Sequence, residues 1–275
     1  GTLPKSTPLF SPRVGFNWDV AGDRSTQVRG GTGIFTGRLP FVWVGNVISN
    51  PGQNPNLPVH QRSFDLNAAD PEFKWPQAWT TNVAVDEKLP WDMIGTLEVL
   101  YSKDINAGFV RNADLVAPVR FLPNDGRPFY GGGGANELNG PFDGGIYVID
   151  NTSEGYNYSI TTQLRKQFES GLFASASYTF LEAKSNLKST EIASVLWAEN
   201  PVAGNPNKPE LGFSEFGNRH RMTAVATYRH SWGEMMSTSV GVFFEAASGN
   251  KFAGAGGNRY SFVYSGDVNG DGNGG

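Results

Sequence analysis

The sequence predicts an all-β fold, an antiparallel up-and-down β-barrel of the membrane-crossing kind, with about nine strands in this chain. Three observations carry that prediction. Apolar and polar residues alternate with period two along most of the 275 residues, the mark of strands with one apolar face. Short and long connections take turns along the chain. Large aromatic residues collect at both ends of the strands and keep the parity of the apolar face.

Strands are expected at 10–20, 24–37, 77–88, 93–105, 156–168, 172–184, 219–230, 235–248 and 258–265. In the first, Val14, Phe16 and Trp18 alternate with Arg13, Asn17 and Asp19. The second places Gln27 and Arg29 on its polar face, the third Asn82 and Asp86. The fourth has Met93 and Leu97 on its apolar side. In the fifth, Ile160, Thr162 and Leu164 oppose Ser159, Thr161, Gln163 and Arg165. In the sixth, Leu172, Ala174, Ala176, Tyr178 and Phe180 oppose Ser175, Ser177 and Thr179. The seventh carries His220 and His230, and the eighth sets Ser237, Ser239 and Glu245 on its polar side. A single helical turn is expected, inside a loop, over 189–200.

Four connections are tight: AGDR at 21–24, LPWD at 89–92, ESG at 169–171 and SWGE at 231–234. They interleave with long ones at about 38–76, 106–155, 185–218 and 249–257. Short turns on one side and long loops on the other are the rhythm of an outer-membrane barrel. Soluble sandwiches mix loop lengths at both ends, and compact soluble domains rarely carry loops beyond about 15 residues without regular structure.

Trp18, Trp91, Phe168 and Trp232 sit beside the tight turns, on the apolar parity. Tyr101, Tyr158, Phe180, Phe244 and Trp79 sit near the other ends, on the same parity. Trp91 to Tyr101 is ten residues, as is Phe168 to Tyr158. At about 3.3 Å per residue and a tilt of about 40°, that is a rise of about 25 Å, the height of the apolar band of such a barrel. These residues are therefore expected to form two membrane girdles. Filling a soluble core is the competing reading, but a core has no reason to sort aromatics to both strand ends.

The opposite faces are too wet for a small packed barrel, since buried unpaired polar groups cost several kcal/mol each. A hydrated or plugged lumen satisfies them, and such lumens belong to barrels of about 16 strands or more. Nine strands do not enclose one. The chain is therefore expected to be part of a larger barrel wall. Its opening on GTLPKSTPLF, with neither initiator Met nor signal peptide, and its ending on GDGNGG lead to the same expectation.

Composition narrows the function classes. A net charge of -4 disfavours a nucleic-acid surface, which needs clustered Lys and Arg. The absence of cysteine removes disulfide scaffolds, Cys-ligated zinc and Cys nucleophiles. No apolar run approaches the roughly 20 residues of a membrane helix, a test that β-barrels evade.

The strings KSTPLFSPRVGFNWDV and STQVRGGTGIFTGRLPFVWVGNVISN resemble the barrel of TonB-dependent outer-membrane receptors, in particular the Oar-like group common in Bacteroidetes. KLPWDMIGTLEVLYSKDIN, ELGFSEFGNRHRMTAVATYRHSW and YSGDVNGDGNGG are similar to the same group, so the likeness covers almost the whole chain. The resemblance implies a 22-stranded barrel filled by an N-terminal plug that contacts TonB, and through it ExbB and ExbD. It also implies outer-membrane lipid and lipopolysaccharide as surroundings and a solute, unidentified, as cargo. Residues 1–275 then form a partial barrel domain. No plug, TonB-contact segment or terminal aromatic strand is recognisable in the chain.

The candidate sites follow. GDVNGDGNGG places Asp267, Asn269 and Asp271 at the 1, 3 and 5 spacing of a calcium loop, with Gly272 at the turn. The chain stops before the carboxylate that completes such a loop, and Asn, Asp and Gly are also ordinary turn residues. Ca²⁺ is the single cofactor the sequence suggests. YGGGGANELNGPFDGG at 130–145 is no phosphate loop, because no Gly-Lys-Ser/Thr follows. His60, His220 and His230 share no ligand spacing. The basic cluster GNRHR at 217–221 is suited to an anionic ligand or lipopolysaccharide, or to pairing with Glu210 and Glu215. Phe41, Trp43, Phe129, Tyr130, Trp197 and Phe213 lie in or beside long loops. They are placed either to stack on a glycan or peptide, or to pack the loops against one another. No Ser/His/Asp or carboxylate pair stands out, so a non-enzymatic protein is expected. The alternative from another class is a secreted all-β module that binds glycan or peptide, its apolar faces packed sheet on sheet.

Overall fold

The structure is a computed structural model that describes residues 3–49, 66–123, 126–131, 145–186, 192–198, 204–208, 210–214 and 217–249. Eight long strands form its wall: β1 (Arg13–Asp19), β2 (Thr26–Thr36), β4 (Gln77–Leu89), β5 (Met93–Asn112), β9 (Tyr156–Gln167), β10 (Leu172–Ser185), β12 (His220–Ser231) and β13 (Ser237–Ala247). Further elements lie between them in the chain: α1 (Phe41–Ser49), β3 (Leu66–Ala69), β6 (Arg120–Phe121), β7 (Pro128–Phe129), β8 (Ile146–Thr152), α2 (Ala193–Ala198) and β11 (Gly212–Phe213).

The long strands pair in the order β1-β2-β4-β5-β9-β10-β12-β13, each antiparallel to the next. Among the described residues the path does not close, so the wall is an open, partial barrel. The eight strands coincide with the first eight expected from the sequence, and the ninth, 258–265, lies outside the described residues. Among the described residues no second sheet packs face to face on this wall. Among the described residues the other sheet is the two-stranded β6–β7 hairpin.

The tight turns fold for local reasons. In the β1–β2 hairpin the Asp19 carboxylate accepts backbone N–H bonds from Gly22 at 2.9 Å and Arg24 at 3.0 Å. Hydrogen bonds from Ser25 hold the Asp23 carboxyl in this turn below its ordinary range. Between β4 and β5 the backbone turns at Trp91 and Asp92, both left-handed (φ 61° and 56°). The β9–β10 turn closes at Gly171 (φ +85°), where a Cβ would come within 2.4 Å of the Arg229 carbonyl oxygen.

The register also gives the tilt of the wall. Asp19 heads a row of direct partners: Gln27, Asp86, Thr96, Gln163, Ser177 and Thr223. Asp19 is the last paired residue of β1, whereas β12 runs eight residues past Thr223 to its last pair, Ser231 with Ser237. Eight residues are about 26 Å along a strand, and six strand spacings are about 29 Å across. The turns therefore descend at about 40°, within the 35–45° of closed barrels.

The other ends of the strands do not finish as irregular loops. β5 continues past Tyr101 to Asn112 and pairs there with β8, which pairs in parallel with β3. At this level the β4–β5 register shifts between Gln77 and Ala78, and residues 153–155 interrupt the run from β8 to β9. The upper sheet carries α1 and α2. Leu39, Trp43, Val47, Phe73, Val110, Tyr147, Ile149, Leu196 and Trp197 form its buried core. The described parts of these loops thus form a packed cap.

Candidate functional site

Antiparallel partners share a face, so the register sorts every wall residue. One row of direct partners reads Trp18, Val28, Val85, Leu97, Thr162, Tyr178, Met222 and Ala246. The neighbouring row on the other face reads Asp19, Gln27, Asp86, Thr96, Gln163, Ser177, Thr223 and Glu245. Large side chains of the first face, such as Val83, Leu97, Ile160, Leu164, Met222 and Val242, are exposed, Val242 by 66%. Few soluble surfaces carry an apolar patch of that extent.

The polar face is cross-linked by its own side chains. The Arg29 guanidinium donates to Asp86 at 2.9 Å, and the Thr96 hydroxyl donates to the same carboxylate. Asn82 donates to Glu98 at 3.0 Å. Thr80 bonds Ser102 at 2.9 Å, Thr161 bonds Thr179 at 3.0 Å and Ser177 bonds Thr223 at 2.7 Å. Arg221 donates to Glu245 at 2.8 Å. Neighbouring strands therefore satisfy each other's polar groups across this face.

The aromatic residues expected at the strand ends lie at consistent heights. Counting along each strand from its last hairpin pair, Phe180 and Phe244 are seven residues up, Tyr101 eight and Tyr158 nine. Their rings touch: Trp79 meets Tyr101 edge-on at 5.9 Å, and Tyr158 meets Phe180 at 6.2 Å. His220 continues this row, 5.5 Å from Phe180, with its Nδ1 2.7 Å from the Tyr178 hydroxyl. Trp18, Trp91, Phe168 and Trp232 occupy the turn ends. Lys166 lies over the Phe168 ring at 4.7 Å, and His230 meets Trp232 at 4.5 Å.

Where the polar face meets the cap, a cavity of about 480 Å³ opens. Phe35, Leu39, Pro40 and Trp43 give it apolar walls, and Gln77, Asp104 and Asn186 add polar groups. Gln77 is fixed there, donating to Thr36 and to the Phe10 carbonyl, both at 3.1 Å, and accepting from Asn106 at 3.2 Å. Asp104 lies past the outer aromatic row, and burial pushes its carboxyl above the ordinary range, with Lys103 opposing. The mix of apolar walls and a few fixed polar groups is that of small-molecule sites.

The loop aromatics divide into two sets. Trp43, Tyr130 and Trp197 are buried, at 2%, 1% and 4% exposure, and Trp43 and Trp197 belong to the cap core. Trp197 also donates to Asn207 at 3.1 Å. These three pack the loops. Phe41 and Phe213 are exposed, and Phe129 is half-buried under the Arg120 guanidinium. Trp43 also lines the cavity.

Among the described residues the basic cluster pairs across neighbouring strands, Arg219 with Glu182 and Arg221 with Glu245. Asp267, Asn269 and Asp271 lie outside the described residues, as do His60, Glu215 and most of 130–145. Among the described residues no three side chains gather as metal ligands.

Sequence reasoning missed α1, β3 and β8. Their signals are present: Trp43 and Val47 stand one helical turn apart, and IYVI at 146–149 is a continuous apolar run. The first is rich in β-branched and aromatic residues, and both sit inside stretches that read as loop.

A family model described as an outer membrane beta barrel domain matches residues 2–274. No curated protein matches the chain. Among solved structures, a mutant of the ferric enterobactin receptor PfeA from Pseudomonas aeruginosa is 11% identical with a TM-score of 0.47, over 88% of this chain and 28% of its own. The outer membrane transporter YddB from Escherichia coli is 10% identical with a TM-score of 0.46, over 86% of this chain and 33% of its own. The chain thus spans about a third or less of either protein.

Proposed function

This chain belongs to the outer membrane beta barrel domain family and resides in the bacterial outer membrane, and from that premise we propose that it is one wall of a TonB-dependent receptor that moves a solute across that membrane. The carrying observation is the pair of adjacent rows, Trp18 to Ala246 and Asp19 to Glu245, which run unbroken over eight tilted strands. The apolar row faces lipid, with the two aromatic belts at its interfaces. The polar row faces a lumen too wide for eight strands to enclose, as in barrels of about 22 strands.

In this reading the cap is the outer face and the tight turns are periplasmic. The solute is captured at the cavity beneath the cap, where Gln77, Asp104 and the exposed end of the polar face converge. Energy coupling runs through a plug that contacts TonB, ExbB and ExbD. The resemblance of the sequence to Oar-like receptors supports that part, and no residue of the wall performs a chemical step.

The test is a comparison of solutes taken up by wild-type cells, cells lacking this gene and cells lacking tonB. The proposal expects a solute whose energy-dependent accumulation is lost in both mutants. Accumulation lost with the gene but retained without tonB overturns the coupling. No solute lost with the gene overturns transport.

A further inference from the structure

The cavity under the cap carries opposite charges at its two sides and a low floor between them. Phe35, Ala78 and Asp104 are direct partners across β2, β4 and β5, and all three line the cavity. They stand on the polar face, two residues above the pair of Thr80 with Ser102. Phe35 and Asp104 are therefore two strand spacings apart, about 10 Å. The small side chain of Ala78 leaves the space between them open.

One side holds a carboxylate without a partner. A Cβ at Gly155 would overlap the Asp104 carboxylate, so the glycine makes room for it. Among the described residues no side chain hydrogen-bonds this carboxylate or forms an ion pair with it. Lys103, the cation that acts on it, has the opposite parity on β5 and donates to the Glu154 carbonyl oxygen at 3.1 Å. The other side holds Arg38, two residues past the end of β2, exposed and with no carboxylate partner among the described residues. Arg13 lies over the Phe35 ring at 4.3 Å and adds a second positive charge there. Leu39, Pro40 and Trp43 line the space with apolar surface.

We propose that this cavity binds a short peptide with free ends, its ammonium on Asp104, its carboxylate on Arg38 and its side chains against Leu39 and Trp43. The proposal rests on the reading of this cavity as the capture site and adds the class of solute. A partly buried carboxylate gains from a cationic partner, which offsets the cost of taking its charge out of water. The span selects the length: at about 3.5 Å per residue an extended tripeptide bridges about 10 Å, and a single amino acid does not. A neutral glycan would leave both charges unmatched, and a polyanion would meet the Asp104 carboxylate.

The experiment is a calorimetric titration of the full-length protein in detergent micelles with trileucine, its N-acetylated form, its C-amidated form and the uncharged trisaccharide maltotriose. Wild type is expected to bind trileucine about ten- to a hundredfold more tightly than either capped form. Asp104→Asn should lose the preference over the acetylated form and keep that over the amidated form. Arg38→Gln should do the reverse, a crossed pattern that misfolding does not produce. Equal affinity for free and capped trileucine overturns the proposal, as does maltotriose binding as tightly as trileucine. Variants that weaken all three peptides alike also overturn it. Any of these results alongside an uptake lost in both the gene and tonB mutants sinks this inference alone. The crossed pattern without such an uptake keeps the site and sinks the transport reading.

Discussion

Ala176 and Ser177 are consecutive residues of β10 that stand in opposite environments. Ala176 lies between Leu164 and Ala224 in the apolar face. Ser177 lies between Gln163 and Thr223 and bonds the Thr223 hydroxyl at 2.7 Å. Arginine at a lipid-facing position near the midplane costs about 2–4 kcal/mol, and at a lumen-facing one far less. Ala176→Arg and Val242→Arg should therefore lower the urea midpoint of the refolded barrel strongly, and Ser177→Arg only mildly. Equal penalties on both faces would speak for a soluble sheet.

Gly171 holds the β9–β10 turn in left-handed backbone, with the Arg229 N–H donating to its carbonyl at 3.0 Å. A methyl there meets the Arg229 carbonyl, so both backbone conformation and space oppose it. Gly171→Ala should destabilise by about 1–3 kcal/mol. Ser170→Ala, at the neighbouring exposed position, should not, as judged by the same unfolding curves.

The Asn207 side chain acts as a strand of its own against Asn112. Its oxygen accepts the Asn112 N–H at 2.7 Å and its amide donates to the Asn112 carbonyl at 2.7 Å. This clips residues 204–208 to the end of β5. Asn207→Ala removes the side-chain partner of the buried Asn112 N–H and leaves its carbonyl with only the Leu115 N–H at 3.4 Å, at a cost of about 1–3 kcal/mol. Hydrogen exchange should quicken around residues 110–115 and stay unchanged in β10.

The wall was legible because its physics is local. Period-two alternation fixes the face of each residue, and AGDR, LPWD, ESG and SWGE mark where each hairpin reverses. The cap was not legible, because its order comes from contacts distant in sequence. Trp43 shares its buried core with Tyr147 and Ile149 of β8 and with Leu196 and Trp197 of α2, about 100 to 150 residues away, and nothing beside it in the chain announces them. The same applies to the cavity, whose polar groups Gln77, Asp104 and Asn186 meet only once β4, β5 and β10 are paired.

Asp104 supplies a pH signature beyond the outer belt. Burial raises its carboxyl above the ordinary range in the folded state. A group raised in this way contributes stability below its unfolded pKa and loses that contribution as pH rises through the folded value. Asp104→Asn should therefore be more stable than wild type at neutral pH. The difference should vanish below about pH 4, where the carboxyl is protonated in both states. Thermal unfolding across that range decides it.

Residues 1–275 contain no cysteine, so a single cysteine placed among them is not confused with a neighbour in this wall. The most direct test places one at each position from Ala174 to Thr179 of the full-length protein and labels intact outer membranes with a water-soluble maleimide. Positions 175, 177 and 179 should label, and positions 174, 176 and 178 should stay dark until detergent is added. Uniform labelling of all six, or the inverted alternation, would contradict a wall with lipid on one face and a wet lumen on the other.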